Sequence, residues 1–174
     1  MSIKYVMGND AAGKADILSE QDITTVPEIV PGLFAMDLWV NTETPVDLSR
    51  SVDPTGSPFR HEPPDGGAIM RVIDFMPGQR RTAEQMRSLH EGIGSVHIPS
   101  DEEFKLSKDP SIHKTDTLNY FCIISGEVWA LSEGRDVLLK AGDVIIQKGC
   151  MHGWRNDSDK PARLIGVLVD SHPA

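Results

Sequence analysis

Short apolar runs recur between residues 118 and 170, separated by tight turns and with no helical period between them. That spacing predicts an all-β fold, an antiparallel β-barrel or jelly roll, rather than β-α-β units. A single helix-start signature and a weak apolar run near the N-terminus add one short helix and an N-terminal strand extension. The length, 174 residues, suits one domain.

Taken in order, residues 1–30 read as a polar lead-in with a weak strand at Ala15–Leu18. Gly32–Val40 is apolar and bounded by Pro31 and the Asn41–Pro45 turn, so it reads as a strand. Residues 41–67 are rich in Pro, Asp, Ser and Gly and predict a long loop, of the kind that covers a site or a partner subunit. Gly67–Phe75 alternates, with Ile69, Arg71, Ile73 and Phe75 on one face and Ala68, Met70, Val72 and Asp74 on the other. Pro77 and Gly78 end it. Thr82 and Gln85 form a capping-box signature that opens a helix to about His90, closed by Gly92 and Gly94. Residues 95–112 are mixed, and the acidic patch Asp101, Glu102 and Glu103 reads as a solvated face.

Leu118–Leu131 reads as two strands joined near Ser125–Gly126. Asp136–Lys140 and Asp143–Gln147 follow, separated by the Ala141–Gly142 turn; Gly149–Asn156 and the apolar strand Arg163–Asp170 complete the set. The chain divides into residues 1–66, an extension and loop packed on the barrel or on a dimer partner, and residues 67–174, the barrel.

Composition narrows the function. The 39% hydrophobic and 25% charged fractions are ordinary for a globular chain. A net charge of −9 repels phosphate backbones and excludes nucleic acid as the expected partner. No basic run suits a membrane surface, no stretch reaches the roughly 20 apolar residues of a membrane span, and no signal peptide is visible. A cytoplasmic location is the expectation. Cys122 and Cys150 form no C-x-x-C pattern or disulfide framework and are expected reduced, packed as small hydrophobes.

The chemistry-bearing residues lie in two stretches. The first runs His113-Lys-Thr115-Asp-Thr-Leu-Asn119-Tyr-Phe-Cys-Ile-Ile-Ser-Gly126, and the second Gly142-Asp143, then Gly149-Cys-Met-His152-Gly-Trp-Arg-Asn156. They resemble the two motifs of the cupin superfamily, G-x5-H-x-H-x(3,4)-E-x6-G and G-D-x4-P-x-G-x2-H-x3-N. His113, Gly126, Gly142, Asp143, His152 and Asn156 match. Thr115 stands where the family has its second His, Asn119 where it has Glu, and Ser107 where the first motif opens on Gly; the Asp143–Gly149 interval is one residue short. The resemblance spans residues 67–170 and implies a cupin-type barrel. HKTDTLNY in place of the metal-binding H-x-H looks like a subgroup of small cupins.

Alternation puts His113 with Thr115, Asn119 with Phe121, and His152 with Trp154 on shared faces, turned into the barrel. Phe121, Ile123, Ile145, Trp154 and Arg71 are the expected lining, with Arg71, Phe121 and Trp154 as substrate-binding residues and Arg71 either a carboxylate clamp or half of an outward salt bridge. Asp143 and Asn156 are expected to serve turns, and Trp39 and Trp129 to be core or interface residues.

A full cupin site suits one divalent transition metal, Fe, Mn, Ni or Zn. Here His113 and His152 are the two strong ligands left, and His61, His90, His97 and Glu103 are the candidates for a third. Without metal, His113 or His152 can act as general acid or base, and Thr115 and Asn119 can hold a substrate carbonyl or hydroxyl. Three functions follow: an enzyme of lyase or isomerase type acting on a small aromatic or polyketide-like molecule, a metal-dependent oxygenase, and a non-catalytic ligand cup. A homodimer is expected, with Gly32–Val40 as a candidate interface strand.

Overall fold

The structure, a computed structural model, describes residues 1–48 and 58–173. Part of the loop predicted over 41–67, residues 49–57, lies outside the described residues. In chain order the elements are β1 (Ile3–Asn9), β2 (Ala15–Asp22), β3 (Glu28–Val30), β4 (Leu33–Asn41), β5 (Ala68–Phe75), α1 (Ala83–Gly92), α2 (Asp101–Leu106), β6 (Thr117–Ser125), β7 (Glu127–Ser132), β8 (Val137–Lys140), β9 (Val144–Lys148), β10 (His152–Arg155) and β11 (Ala162–Asp170).

Two sheets face each other. The larger runs β3-β4-β5-β11-β6-β9 and the smaller β10-β7-β8; every pairing is antiparallel. The period of two explains their contact: Ala162, Leu164 and Leu168 of β11 point inward with Phe121 and Ile123 of β6, and meet Val128, Ala130 and Leu139 of the small sheet. Each of the Val, Leu, Ile and Phe side chains contributes about 1.5–3 kcal/mol on burial. The tight β6–β7 turn is made by Gly126 at φ +71°, a left-handed conformation that glycine adopts without steric penalty.

Two expectations are corrected. The first 30 residues are not a lead-in with one weak strand. β1 and β2 form a hairpin of their own, closed by Asp10, whose carboxylate accepts from the amides of Ala12 and Lys14 at 2.8 Å. Its side chains are mostly exposed, so hydrophobic patterning gave no sign of it. The segment after it matters more. Ile23 and Val26 pack with Leu38 and Val72, covering the β5 face that carries Val72.

The chain also has two helices rather than one. Ser100 accepts from the amide of Glu103, whose carboxylate accepts from the amide of Ser100 in return, and α2 begins there. The acidic patch at Asp101–Glu103 is its first turn, where carboxylates meet the positive end of the helix dipole. Phe104 joins Met86, Leu89 and Ile93 in a third apolar cluster, against Leu33 and Phe59. This cluster seats both helices over the open end of the barrel. The α1 capping box is present as predicted.

β4 lies between β3 and β5, so the strand extension shares a sheet with the barrel. Exposed apolar side chains gather instead on the outer face of β6 and β9, at Tyr120, Ile124, Val144 and Ile146. Among the described residues no helix is long and apolar enough to cross a membrane.

Candidate functional site

The backbones of His113 and His152 form an isolated bridge, each amide donating to the other's carbonyl at 2.9 Å. The bridge holds the two rings 4.7 Å apart, centroid to centroid. The Nδ1–H of His113 donates to the Ser111 carbonyl at 2.9 Å, and that of His152 to the Cys150 carbonyl at 2.8 Å. A carbonyl can only accept, so both protons sit on Nδ1 and both Nε2 atoms are lone pairs. Burial pushes His152 down to about 4. It also holds His113 well below the ordinary range, with the His152, His61 and His90 rings adding to the effect. Both imidazoles are neutral at pH 7.

They open into a cavity of about 120 Å³ at the end of the barrel, lined among others by Thr115, Asn119, Phe121 and Trp154. Thr115 Oγ1 lies 2.8 Å from Thr117 Oγ1. Asn119 Nδ2 donates to Gln147 Oε1 at 3.3 Å, while its Oδ1 is buried without a partner. Trp154 stacks on Phe75 and meets Phe121 edge-on, both at 5.6 Å. Phe121 can lie flat against β11 because the residue opposite is Gly166; a β-carbon there would collide with the ring.

Arg71 also lines this space, but its donors are committed. Nε pairs with Asp37 at 2.6 Å, Nη1 donates to the His61 carbonyl at 3.0 Å, and Nη2 donates to the Arg60 carbonyl. Its guanidinium carbon sits 4.1 Å above the Phe59 ring. The arginine thereby fastens the 59–61 segment across the cavity.

Of the further histidines, the structure brings His61 and His90 into the cavity. Their Nδ1 atoms each lie 2.8 Å from Ser95 Oγ, and His90 lies 4.8 Å from His113 between ring centroids. Burial, with the neighbouring His61, pushes His90 down to about 4. His97 and Glu103 instead pair with each other at 3.4 Å on the surface. The expectation that Ile123 and Ile145 line the cavity is corrected. They pack in the core between the sheets, because the cavity ends at Phe121 and the sheets close beyond it. Asp143 and Asn156 hold turns: Asp143 accepts from the Lys140 amide, and Asn156 bonds Phe75, Ser158 and Lys160.

Sequence reading missed Phe59, Arg81 and Ser95. Phe59 was signalled as a lone aromatic in a polar loop. Arg81, whose Nη2 donates to the Gly32 carbonyl at 2.6 Å at the cavity edge, and Ser95 carried no signal.

His113 and His152 supply two Nε2 lone pairs, with their Nδ1–H groups anchored as metal-binding imidazoles require. The positions that would add a second His and a carboxylate hold Thr115, already bonded to Thr117, and the neutral Asn119. Among the described residues no group of three or more His, Cys, Asp or Glu side chains is arranged to hold a metal ion. As arranged, the described residues do not complete a metal site.

No family model matches the chain. It is 30% identical to the cupin-domain-containing oxidoreductase srdB of Neurospora crassa, over 98% of this chain and 74% of that protein. It is 25% identical to phomopsin biosynthesis cluster protein C' of Diaporthe leptostromiformis, over 98% and 79%. Among solved structures it resembles the Schizosaccharomyces pombe Cnp3 cupin domain at a TM-score of 0.51 and 10% identity, over 98% of this chain and 89% of that one. That last likeness speaks to the fold alone.

Proposed function

The chain belongs to the cupin superfamily, and from that premise we propose that it is an enzyme moving a proton within a small ring-bearing organic substrate, a lyase or isomerase step. The observation that carries this reading is the pair of neutral imidazoles, His113 and His152, rings 4.7 Å apart and both with lone pairs on Nε2, at a largely apolar cavity. A buried imidazole at Nε2 can take a proton from a carbon beside a carbonyl, as the C–H electrons move into a new double bond. The imidazolium formed then returns that proton to another carbon, which is isomerisation, or to a leaving hydroxyl, which departs as water. The second imidazole shares the charge while it lasts. The unpartnered Oδ1 of Asn119 accepts a substrate hydroxyl, and Thr115 bonds the same polar edge.

At about 120 Å³ the cavity is somewhat smaller than the roughly 150 Å³ of apolar space that holds one benzene ring, so it suits the reacting edge of a ring-bearing substrate whose remainder lies outside. Relatives named for biosynthesis clusters and as oxidoreductases support a small-molecule substrate. The test is deuterium wash-in. The protein is incubated in D₂O with a panel of cyclic ketones, and exchange at the carbon beside the carbonyl is followed by NMR. Catalysed exchange that disappears in both His113→Ala and His152→Ala is the expected result; exchange that persists in both variants sinks the reading.

A metal-dependent oxygenase is the second reading, favoured by the oxidoreductase names of relatives. It expects near one Fe, Mn, Ni or Zn per chain by elemental analysis, lost in the same two variants, and O₂ uptake dependent on the added ion. Tight ligand binding without exchange or uptake would mark a ligand cup instead. A homodimer expects twice the 19.1 kDa chain mass by light scattering.

A further inference from the structure

We propose that His90, on α1 and outside the barrel strands, presents an Nε2–H to the cavity and binds there the carbonyl or phenolate oxygen of a ring-bearing ligand. Ser95, His61 and Glu62 are the positioning residues that fix this tautomer. The inference rests on the cavity being the substrate site and adds a named group of the substrate.

The reasoning follows the protons from the outer end of a chain of side chains. Glu62 Oε1 lies 3.2 Å from His61 Nδ1. A carboxylate beside Nδ1 favours the tautomer that carries its proton there. The same Nδ1 lies 2.8 Å from Ser95 Oγ, which therefore accepts from it. The serine's own hydrogen is left to donate, and its remaining neighbour, at 2.8 Å, is His90 Nδ1. In that arrangement His90 Nδ1 is the acceptor, a lone pair. A neutral imidazole with a lone pair on Nδ1 carries its hydrogen on Nε2.

His90 Nε2 is buried and has no partner, and the residue is 1% exposed. A buried N–H with nothing to donate to destabilises by about 1–3 kcal/mol. A ligand oxygen in the cavity relieves that, and the ring walls of Phe59, Phe75, Phe121 and Trp154 suit the apolar body behind the oxygen. His113 and His152 hold the opposite tautomer, so one donor stands beside two lone pairs in a single cluster of rings. A ketone bonded through its oxygen to His90 has its carbonyl polarised in the same cavity as the two acceptors.

The test needs no turnover. Two-bond ¹H–¹⁵N NMR on histidine-labelled protein at neutral pH reads which ring nitrogen carries the proton. His90 is expected protonated on Nε2, and His113 and His152 on Nδ1. Ser95→Ala, which removes only the hydroxyl, is expected to populate both tautomers of His90. Cyclohexanone and methylcyclohexane are then the probes. Cyclohexanone should shift the His90 Nε2–H resonance, and His90→Phe should lose roughly ten-fold in affinity for cyclohexanone while keeping its affinity for methylcyclohexane.

A His90 protonated on Nδ1 in the unmodified protein overturns the proposal, since its Nε2 would then be a third lone pair beside those of His113 and His152. An unchanged ratio of the two affinities in His90→Phe overturns it too. Neither result depends on whether His113 and His152 transfer protons, so this inference and the proposed reaction fail separately.

Discussion

The cavity holds two pairs of histidines that are fixed in different ways. His113 and His152 are clamped by backbone: their amides and carbonyls pair with each other, and their Nδ1–H groups donate to carbonyls two residues upstream. His61 and His90 are clamped by one side chain, the hydroxyl of Ser95. A carbonyl can only accept, so the tautomer of the first pair is imposed by the fold and survives changes at neighbouring side chains. A hydroxyl both donates and accepts, so the tautomer of the second pair is set by whatever stands at its far end, here Glu62. One half of the cavity is constant by construction, and the other is adjustable by single substitutions.

That contrast can be broken at its functional end first. His113→Ala or His152→Ala should lower catalysed exchange by about 10²–10⁴-fold, read by the deuterium assay. The physical tie between the halves comes next. Arg71→Met leaves Asp37 without its guanidinium and the carbonyls of Arg60 and His61 without donors, and should destabilise by about 3 kcal/mol in urea unfolding. Acid acts through the buried imidazoles of both halves, His113, His152 and His90. His90 is held down to about 4 by burial, against about 6.5 unfolded. As pH falls the unfolded chain takes up that proton first. The stability involved is therefore complete above about pH 6.5 and is lost as pH falls toward 4, on the order of 1–3 kcal/mol. In thermal melts across this window the wild type should lose stability relative to His90→Phe as pH drops.

The smallest effects sharpen the distinction most. Ser95→Ala should cost about 1 kcal/mol. Ser111→Ala, which leaves the carbonyl that anchors His113 in place, should leave the His113 tautomer unchanged by NMR. A His113 tautomer that moved with Ser111→Ala would remove the difference between the pairs.

What was legible in the sequence follows the same division. Thr115, Asn119, Phe121, His152 and Trp154 line the cavity as alternation placed them, because a period of two and short turns leave strands few registers. His61 and His90 were named only as separate candidates. A loop and a helix brought together by Arg71 and by a cluster of Met86, Leu89 and Phe104 have no common period to read. α2 went unseen because six residues are too few to show a helical repeat, though its capping box at Ser100 and Glu103 was in plain view. The β1–β2 hairpin went unseen because backbone pairing holds it and its side chains are mostly exposed.

Gly166 and Phe121 leave a mark on how this barrel can diversify. The ring lies where a side chain at 166 would stand, so the two positions share one volume. A lineage that gains even a methyl group at 166 must trade the phenyl at 121 for something smaller. Substrate choice in such chains should therefore drift through paired exchanges at 121 and 166, visible as covariation between β6 and β11 rather than as change at either site alone.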